Sequence, residues 1–399
     1  GIPLLLASLY GLLGPHLWVA RGIIIVLQLL TIPLAGLLTF ELLGQNERAG
    51  RWTAWIAALY PPAVMLAGQP YSQHLTTVCL LATAYFWLKG LREERLGPFF
   101  PAGAALGIGI LARPSMLSLC PVLGLAALCT AWSRRDPTKR GLGRFKLRFV
   151  VNPTIAFMLA AGTVLPVMLH SLSTGAGWAI STNNERNFFL GNNRYTPIYK
   201  TGHFAMRGHR DLEPEVRDYL IRITHAEDKK QLMMREALGH IRNHPFLTLL
   251  RTANRLRAFW GFDYLASRQI QQHKGWGVAG LGVLLAIEAG GYILLMLAAI
   301  AGVADCLRSR NRMPVVGMLA LVFAYQLPYA LAHAAGTYHF PVVYLLIPFA
   351  VVTFLQLAAK QTRATFLTAT VRAPATWAAI IVFLALQAEY LYFTARHAG

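Results

Sequence analysis

Ten apolar stretches, most of them long enough as helices to cross a bilayer, dominate this chain and put a water-soluble fold out of reach. A hydrocarbon core about 30 Å thick needs roughly 20 apolar residues in helix, fewer where two short helices form a hairpin inside protein. The stretches cover 18–40, 54–67, 71–88, 99–112, 114–131, 149–169, 277–303, 315–332, 340–359 and 375–394. The second and fourth are short and abut their neighbours across polar or proline breaks, as tight helical hairpins do. Residues 2–13 are too few to span alone. With 55% apolar and 14% charged residues, the expected fold is an all-α polytopic membrane protein of about ten transmembrane helices with one long extracytoplasmic loop region. Three segments follow: N-terminal membrane helices over 1–170, the loop region with short and juxtamembrane helices over 171–276, and C-terminal membrane helices over 277–399.

Thirty-seven Lys and Arg against 17 Asp and Glu give a formal charge of +20, which invites a nucleic-acid reading until the cations are placed. They concentrate in alternate short loops: Arg48 and Arg51; Lys89, Arg92 and Arg95; the stretch 134–148; Arg308 to Arg312; and Lys360, Arg363 and Arg372. The intervening loops at 68–70 and 333–337 carry none. This is the positive-inside pattern of a multi-pass protein of the cytoplasmic (inner) membrane, so the basic balance reports topology, and no nucleic-acid partner is expected. Cys79, Cys120, Cys129 and Cys306 lie in or beside apolar runs without paired spacing, indicating neither disulfides nor a thiolate metal site. Phosphate-cradling GxxxxGK, HExxH, CxxC and GxSxG patterns are missing, and the pairs His203/His209 and His240/His244 lack a third ligand. No metal and no cofactor are expected. The chain opens at Gly1 inside an apolar run with no basic leader, from which missing upstream sequence is expected.

The polar excursion, 171–276, is far too long for a mere connection, and loops of that length carry function. Its first part, ISTNNERNFFLGNNRYTPIYKTGHFAMRG over 180–208, has no helical period. Asn192 and Asn193 suit turns, and Arg194, Tyr195, Lys200 and His203 offer donors for phosphate or sugar hydroxyls; an ordinary solvated loop would account for the same composition. Helical patterns follow, the last opened by Pro245. There Phe246, Leu249, Leu250, Ala253, Leu256 and Trp260 recur at helical spacing while Arg251 and Arg255 share a face. The expectation is a helix at the membrane interface, with its arginines at headgroup level. Such a helix either simply anchors the chain or makes Arg255 a lipid-phosphate ligand.

Polar residues also collect where the outer helix ends are expected: Tyr71, Gln73 and His74, Arg113 in LARPS, and Tyr338 with His339 in GTYHFPVVYLLIPF. A phosphate is too costly to bury unpaired, so such cations and hydroxyls suit a lipid-phosphate headgroup. Packing histidines and interfacial tyrosines are the plainer alternative. Glu288 lies mid-span, where an ionisable group is a functional candidate by default, yet no second acid stands at a matching depth. Asp263 sits at the outer boundary and is by position the better acidic candidate, a helix or turn cap being the plainer alternative.

Taken in order, YPPAVMLAGQPYSQHLTTVCLLATAYFWLKG, GIGILARPSMLSLCPVLGL, FFLGNNRYTP, HPFLTLLRTANRLRAFWG and YHFPVVYLLIPFA resemble the GT-C type polyprenyl-phosphate-sugar-dependent membrane glycosyltransferases. The bacterial relatives of protein O-mannosyltransferases and the aminoarabinose transferase of lipid A (glycosyltransferase family 39-like) are the nearest in pattern. The resemblance implies inverting transfer from a polyprenyl-phosphate-linked sugar donor to an extracytoplasmic glycan, lipid or protein acceptor, in contact with membrane lipid. Family members use an Asp, often followed by Glu, in the first outer loop as general base; that loop is expected to precede Gly1, leaving the catalytic residue unknown and this fragment inactive alone. By the resemblance Tyr338 matches the tyrosine that contacts the lipid phosphate, and Arg255 a basic residue ahead of the following span. His339 stands where many relatives carry Arg. A secondary transporter or lipid flippase of the same membrane is the competing reading, as is a non-catalytic scaffold, though no internal repeat supports a transporter.

Overall fold

The computed structural model describes residues 2–135, 146–175, 177–181, 183–199, 212–309 and 312–396. Among these the chain is helical, with no strand. The order is α1 Ile2–Leu13, α2 Leu17–Leu42, α3 Glu47–Leu59, α4 Pro61–Leu66, α5 Ser72–Glu93, α6 Phe99–Ala112, a 3₁₀ turn Pro114–Ser118, α7 Leu119–Ser133 and α8 Arg148–Ser173. Then come α9 Asn184–Gly191, α10 Pro214–Thr224, α11 Lys229–Asn243, α12 Pro245–Trp260, α13 Leu265–Lys274, α14 Val278–Arg308, α15 Met313–Leu331, a 3₁₀ turn Gly336–His339, α16 Phe340–Ala358, α17 Lys360–Val371 and α18 Pro374–Arg396. Among the described residues seven helical stretches are long and apolar enough to cross a membrane: Leu17–Leu42, Pro114–Ser133, Arg148–Ser173, Val278–Arg308, Met313–Leu331, Gly336–Ala358 and Pro374–Tyr392.

The three other stretches expected to span depart from that description for local reasons. The run 54–67 is broken at Tyr60, which is extended (ψ 110°) ahead of Pro61 and Pro62, because a residue before proline is pushed out of the helical region. The 71–88 run becomes α5, long but lined with buried Gln73, His74, Thr76, Thr77 and Thr83. The 99–112 run is a helix of only 14 residues.

Two compact units divide the chain: unit 1 is 1–166, 262–325 and 340–399, and unit 2 is 167–261 and 326–339. The polar excursion thus supplies most of unit 2, which also takes in 326–339, while 262–276 belongs to unit 1.

Unit 1 is built around α16, the most enclosed of the spanning helices. In lipid the apolar effect does not drive helices together, so close backbone approach at small residues takes its place. Gly302 of α14 is an instance: a Cβ there would lie 1.9 Å from the Phe349 carbonyl oxygen of α16. Gly103 of α6 meets Ala156 of α8 in the same way, and Gly36 and Gly50 press α2 against α3. A buried polar chain fixes the register of these helices. His74 Nδ1 lies 2.9 Å from Gln28 Oε1, and Gln28 Nε2 donates to Tyr344 Oη at 2.6 Å. At helix ends, Arg92 pairs with Glu41 at 3.0 Å, and Glu94 gathers Arg134, Lys146 and Arg148.

Unit 2 has its own core of Phe189, Leu190, Tyr219, Leu220, Ile223 and Met233, with Tyr195, Leu212, Val216 and Leu232 packed around it. Prolines open α10 and α12, where a missing N–H is tolerated.

Candidate functional site

In unit 2 the loop after α9 is held by arginines rather than left to solvent. Gly191 ends α9 against α15: a Cβ on it would stand 1.8 Å from the Ala332 carbonyl oxygen, so only glycine fits. Asn192 Nδ2 donates to Phe188 O (3.0 Å) and Leu331 O (2.8 Å). Asn193 folds the next turn, Nδ2 donating to Phe189 O (2.9 Å) and Oδ1 accepting from Tyr195 N (2.9 Å). Thr196 closes it by donating to Leu190 O at 2.9 Å.

Arg255, 1% exposed, donates to Ala330 O (3.2 Å), Leu331 O (3.1 Å), Asn192 Oδ1 (3.1 Å) and Gly191 O. These carbonyls terminate α15 and α9, where the last turn has no intrahelical donors and the backbone dipole is negative, so one guanidinium caps two helix ends. One turn earlier Arg251, 2% exposed, donates to Asn193 O (3.1 Å) and Thr196 O, and lies 2.8 Å from His240 Nε2. Burial, and then the charge of Arg251, lower the Arg255 pKa to about 10, which leaves it charged at neutral pH.

Helix α12 keeps the expected outward apolar face, but its arginines are engaged by protein. Its arginines face protein, while Phe246 (88% exposed) and Leu249 (66%), with Leu250 and Ala253, form an apolar stripe on the outside. The arginines expected at headgroup level point the other way.

Tyr195 is half-buried, its Oη bonded to Glu215 and its ring edge-on to Tyr219 at 5.2 Å, with the Arg194 guanidinium over both rings. The hydrogen bond to Glu215 is the first cause of its raised pKa. Tyr338 stacks on Tyr329 at 4.8 Å and meets His333 Nε2 at 3.2 Å. His339 Nδ1 donates to Phe259 O (2.7 Å), and its ring lies parallel to Trp260. Asn192, Asn193, Tyr195, Arg255, Tyr338 and His339 thus share one compact unit. Lys200 and His203 fall outside the described residues. Arg113 belongs to unit 1, where its Nε donates to Ser72 Oγ at 2.9 Å.

Unit 1 also holds a polar cluster that spacing along the chain conceals. Glu288, 1% exposed in the middle of α14, accepts from Ser267 N (2.9 Å) and Ser267 Oγ (2.5 Å) in the first turn of α13. Asp263 Oδ1 accepts from Leu265 N at 3.1 Å, so two carboxylates converge on one helix N-terminus. They are close enough for their charges to repel, which supplies the second acid that sequence depth alone does not. Further along α13, Gln269 Nε2 donates to Tyr71 Oη at 3.0 Å. Tyr60 is carried nearby by Pro61, whose ring packs on Gly291, one turn from Glu288. Among the described residues no group of three His, Cys, Asp or Glu could hold a metal ion.

Residues 1–164, fewer than half of the chain, match the family model described as dolichyl-phosphate-mannose-protein mannosyltransferase. No curated protein and no solved structure matches the chain. The matched part contains Tyr60, Tyr71, Ser72 and Arg113. Over those residues the chain is similar to the dolichyl-phosphate-mannose-protein mannosyltransferases.

Proposed function

We propose that the chain takes part in moving a sugar from a polyprenyl-phosphate carrier to an extracytoplasmic glycan, lipid or protein, with inversion at the anomeric carbon, in the cytoplasmic membrane. The family match over 1–164 carries this reading. It is supported by the alternation of basic loops, which puts the polar excursion on the extracytoplasmic side. In the reaction the acceptor hydroxyl oxygen attacks the anomeric carbon, its proton passes to a carboxylate, and the carbon–oxygen bond to phosphate breaks with its electron pair going to the phosphate. A cation beside that phosphate absorbs the developing charge. We assign this to Arg113, beside Ser72, within the family-matched segment. Arg255, whose hydrogens meet four acceptors, is assigned to holding the loop. No residue is assigned as the base. The outward stripe of α12 suits acyl chains, membrane lipid being its partner.

The test is equilibrium binding of radiolabelled undecaprenyl-phosphate mannose to the protein in lipid nanodiscs. Saturable binding, competed by undecaprenyl phosphate and weakened about tenfold or more in Arg113→Ala, is expected, since a charge-assisted contact to phosphate is lost. Absence of saturable binding for this and other polyprenyl-phosphate monosaccharides removes the proposal.

A further inference from the structure

Two carboxylates, Asp263 and Glu288, meet at the N-terminus of α13. Ser267 satisfies only Oε2 of Glu288; Oε1 is buried with no hydrogen-bond partner. The Tyr60 hydroxyl, 3% exposed and within electrostatic reach of both acids, is likewise unpartnered, and so is Gln269 Oε1. Buried polar groups are nearly always hydrogen-bonded, so the two orphaned oxygens of Glu288 and Tyr60, within electrostatic reach of one another, are the mark of a place filled by something else. Asp263, Gln269, Tyr71, Ser72 and Arg113 of the same unit are half-buried, whereas Glu288, Ser267 and Tyr60 are buried. Two carboxylates without a third ligand are a poor metal site, whereas surplus acceptors beside an amide and tyrosine rings suit several hydroxyl donors held together.

We propose that Asp263, Gln269 and Glu288 form the subsite that receives the hydroxyls of the carrier-borne sugar, with Arg113 in the same unit toward its phosphate. The assignment rests on the transferase reading above and adds to it the surface that distinguishes a sugar-bearing carrier from a bare one. Neighbouring acidic acceptors engage two hydroxyl donors at once, and the carboxylate repulsion is relieved when those donors arrive.

The experiment compares binding of undecaprenyl-phosphate mannose and of undecaprenyl phosphate to the wild type, Asp263→Asn, Gln269→Ala and Glu288→Gln in nanodiscs. Size-exclusion profile and thermal unfolding serve as controls on folding. The expected result is a loss of about tenfold or more in affinity for the sugar-bearing carrier, with the bare carrier unchanged, as for hydrogen bonds to charged groups. Equal loss for both carriers, or no loss for either, overturns the subsite while leaving the transferase reading in place. Wild type that binds neither carrier overturns both. Should Glu288→Gln fail to fold, Asp263→Asn and Gln269→Ala, at half-buried positions, decide the question on the same readout.

Discussion

The arginine pair of unit 2 and the acid pair of unit 1 are mirror cases of charge taken out of water. Arg255 gives both nitrogens of its fork end protein acceptors, the carbonyl ends of two helices and Asn192, and leaves its Nε without a partner. Asp263 and Glu288 crowd the start of a single helix and leave an oxygen of Glu288 unmatched. The difference teaches which of two buried charges is architecture. A network whose members satisfy one another leaves little to offer a ligand, while one with surplus acceptors has capacity.

The contrast is broken most sharply at Arg255. Arg255→Ala leaves the ends of α9 and α15 and the Asn192 amide oxygen without their donor, and should destabilise the protein by about 4 kcal/mol, the sum of a few unsatisfied buried acceptors. Thermal unfolding in detergent, with limited proteolysis of the 180–200 region, reads this. Arg255→Lys should recover only part of it, because an ammonium cannot reproduce the planar fork. Stability close to wild type for Arg255→Ala would mean that the network is not structural.

An intermediate effect is expected from acid. His240 faces the Arg251 guanidinium through Nε2, which must therefore accept, so the neutral ring is the bonded form. Burial first, then the charges of Arg251 and His244, lower its pKa from 6.5 to about 4. A lowered value means that the unfolded chain binds the proton more readily. The stabilisation is thus complete above pH 6.5 and is lost as pH falls from 6.5 toward 4. His240→Gln, which keeps an acceptor but does not titrate, should flatten that part of the stability profile, measured as melting temperature against pH. An unchanged slope would show that Arg251 does not feel the ring.

The smallest change in stability is expected at Glu288. Glu288→Gln keeps an acceptor for Ser267 and removes a poorly compensated charge, so unfolding should stay within about 1 kcal/mol of wild type or shift upward. A loss as large as that of Arg255→Ala would erase the distinction between the two clusters.

Much of this fold is legible in the chain. Hydropathy marks the spanning helices, and the change of composition near residue 171 marks the excursion, since the bilayer imposes one length scale on everything within it. The helix after Pro245 and its two-faced character are legible as well. What periodicity does not give is the partner of the polar face: it separates Arg251 and Arg255 from Phe246 and Leu249, but not that the arginines meet helix-end carbonyls rather than headgroups. The acid pair is obscured for another reason. Asp263 and Glu288 are 25 positions apart and come together only because α13 reverses the chain between them. Tyr60 is similarly hidden, since its place beside α14 depends on Pro61 meeting Gly291.

The clasp made by Asn192 and Arg255 sets an order of assembly. Asn192 is synthesised 139 residues before Leu331, its acceptor, a delay on the order of 10 s at ordinary translation rates. During that interval the turn at 191–196 lacks the Leu331 carbonyl, and Arg255 has only Gly191 and Asn192 to bridge. The excursion matures only after α15 has been made, and any chain ending short of residue 330 would leave Arg255 without the helix end it clasps.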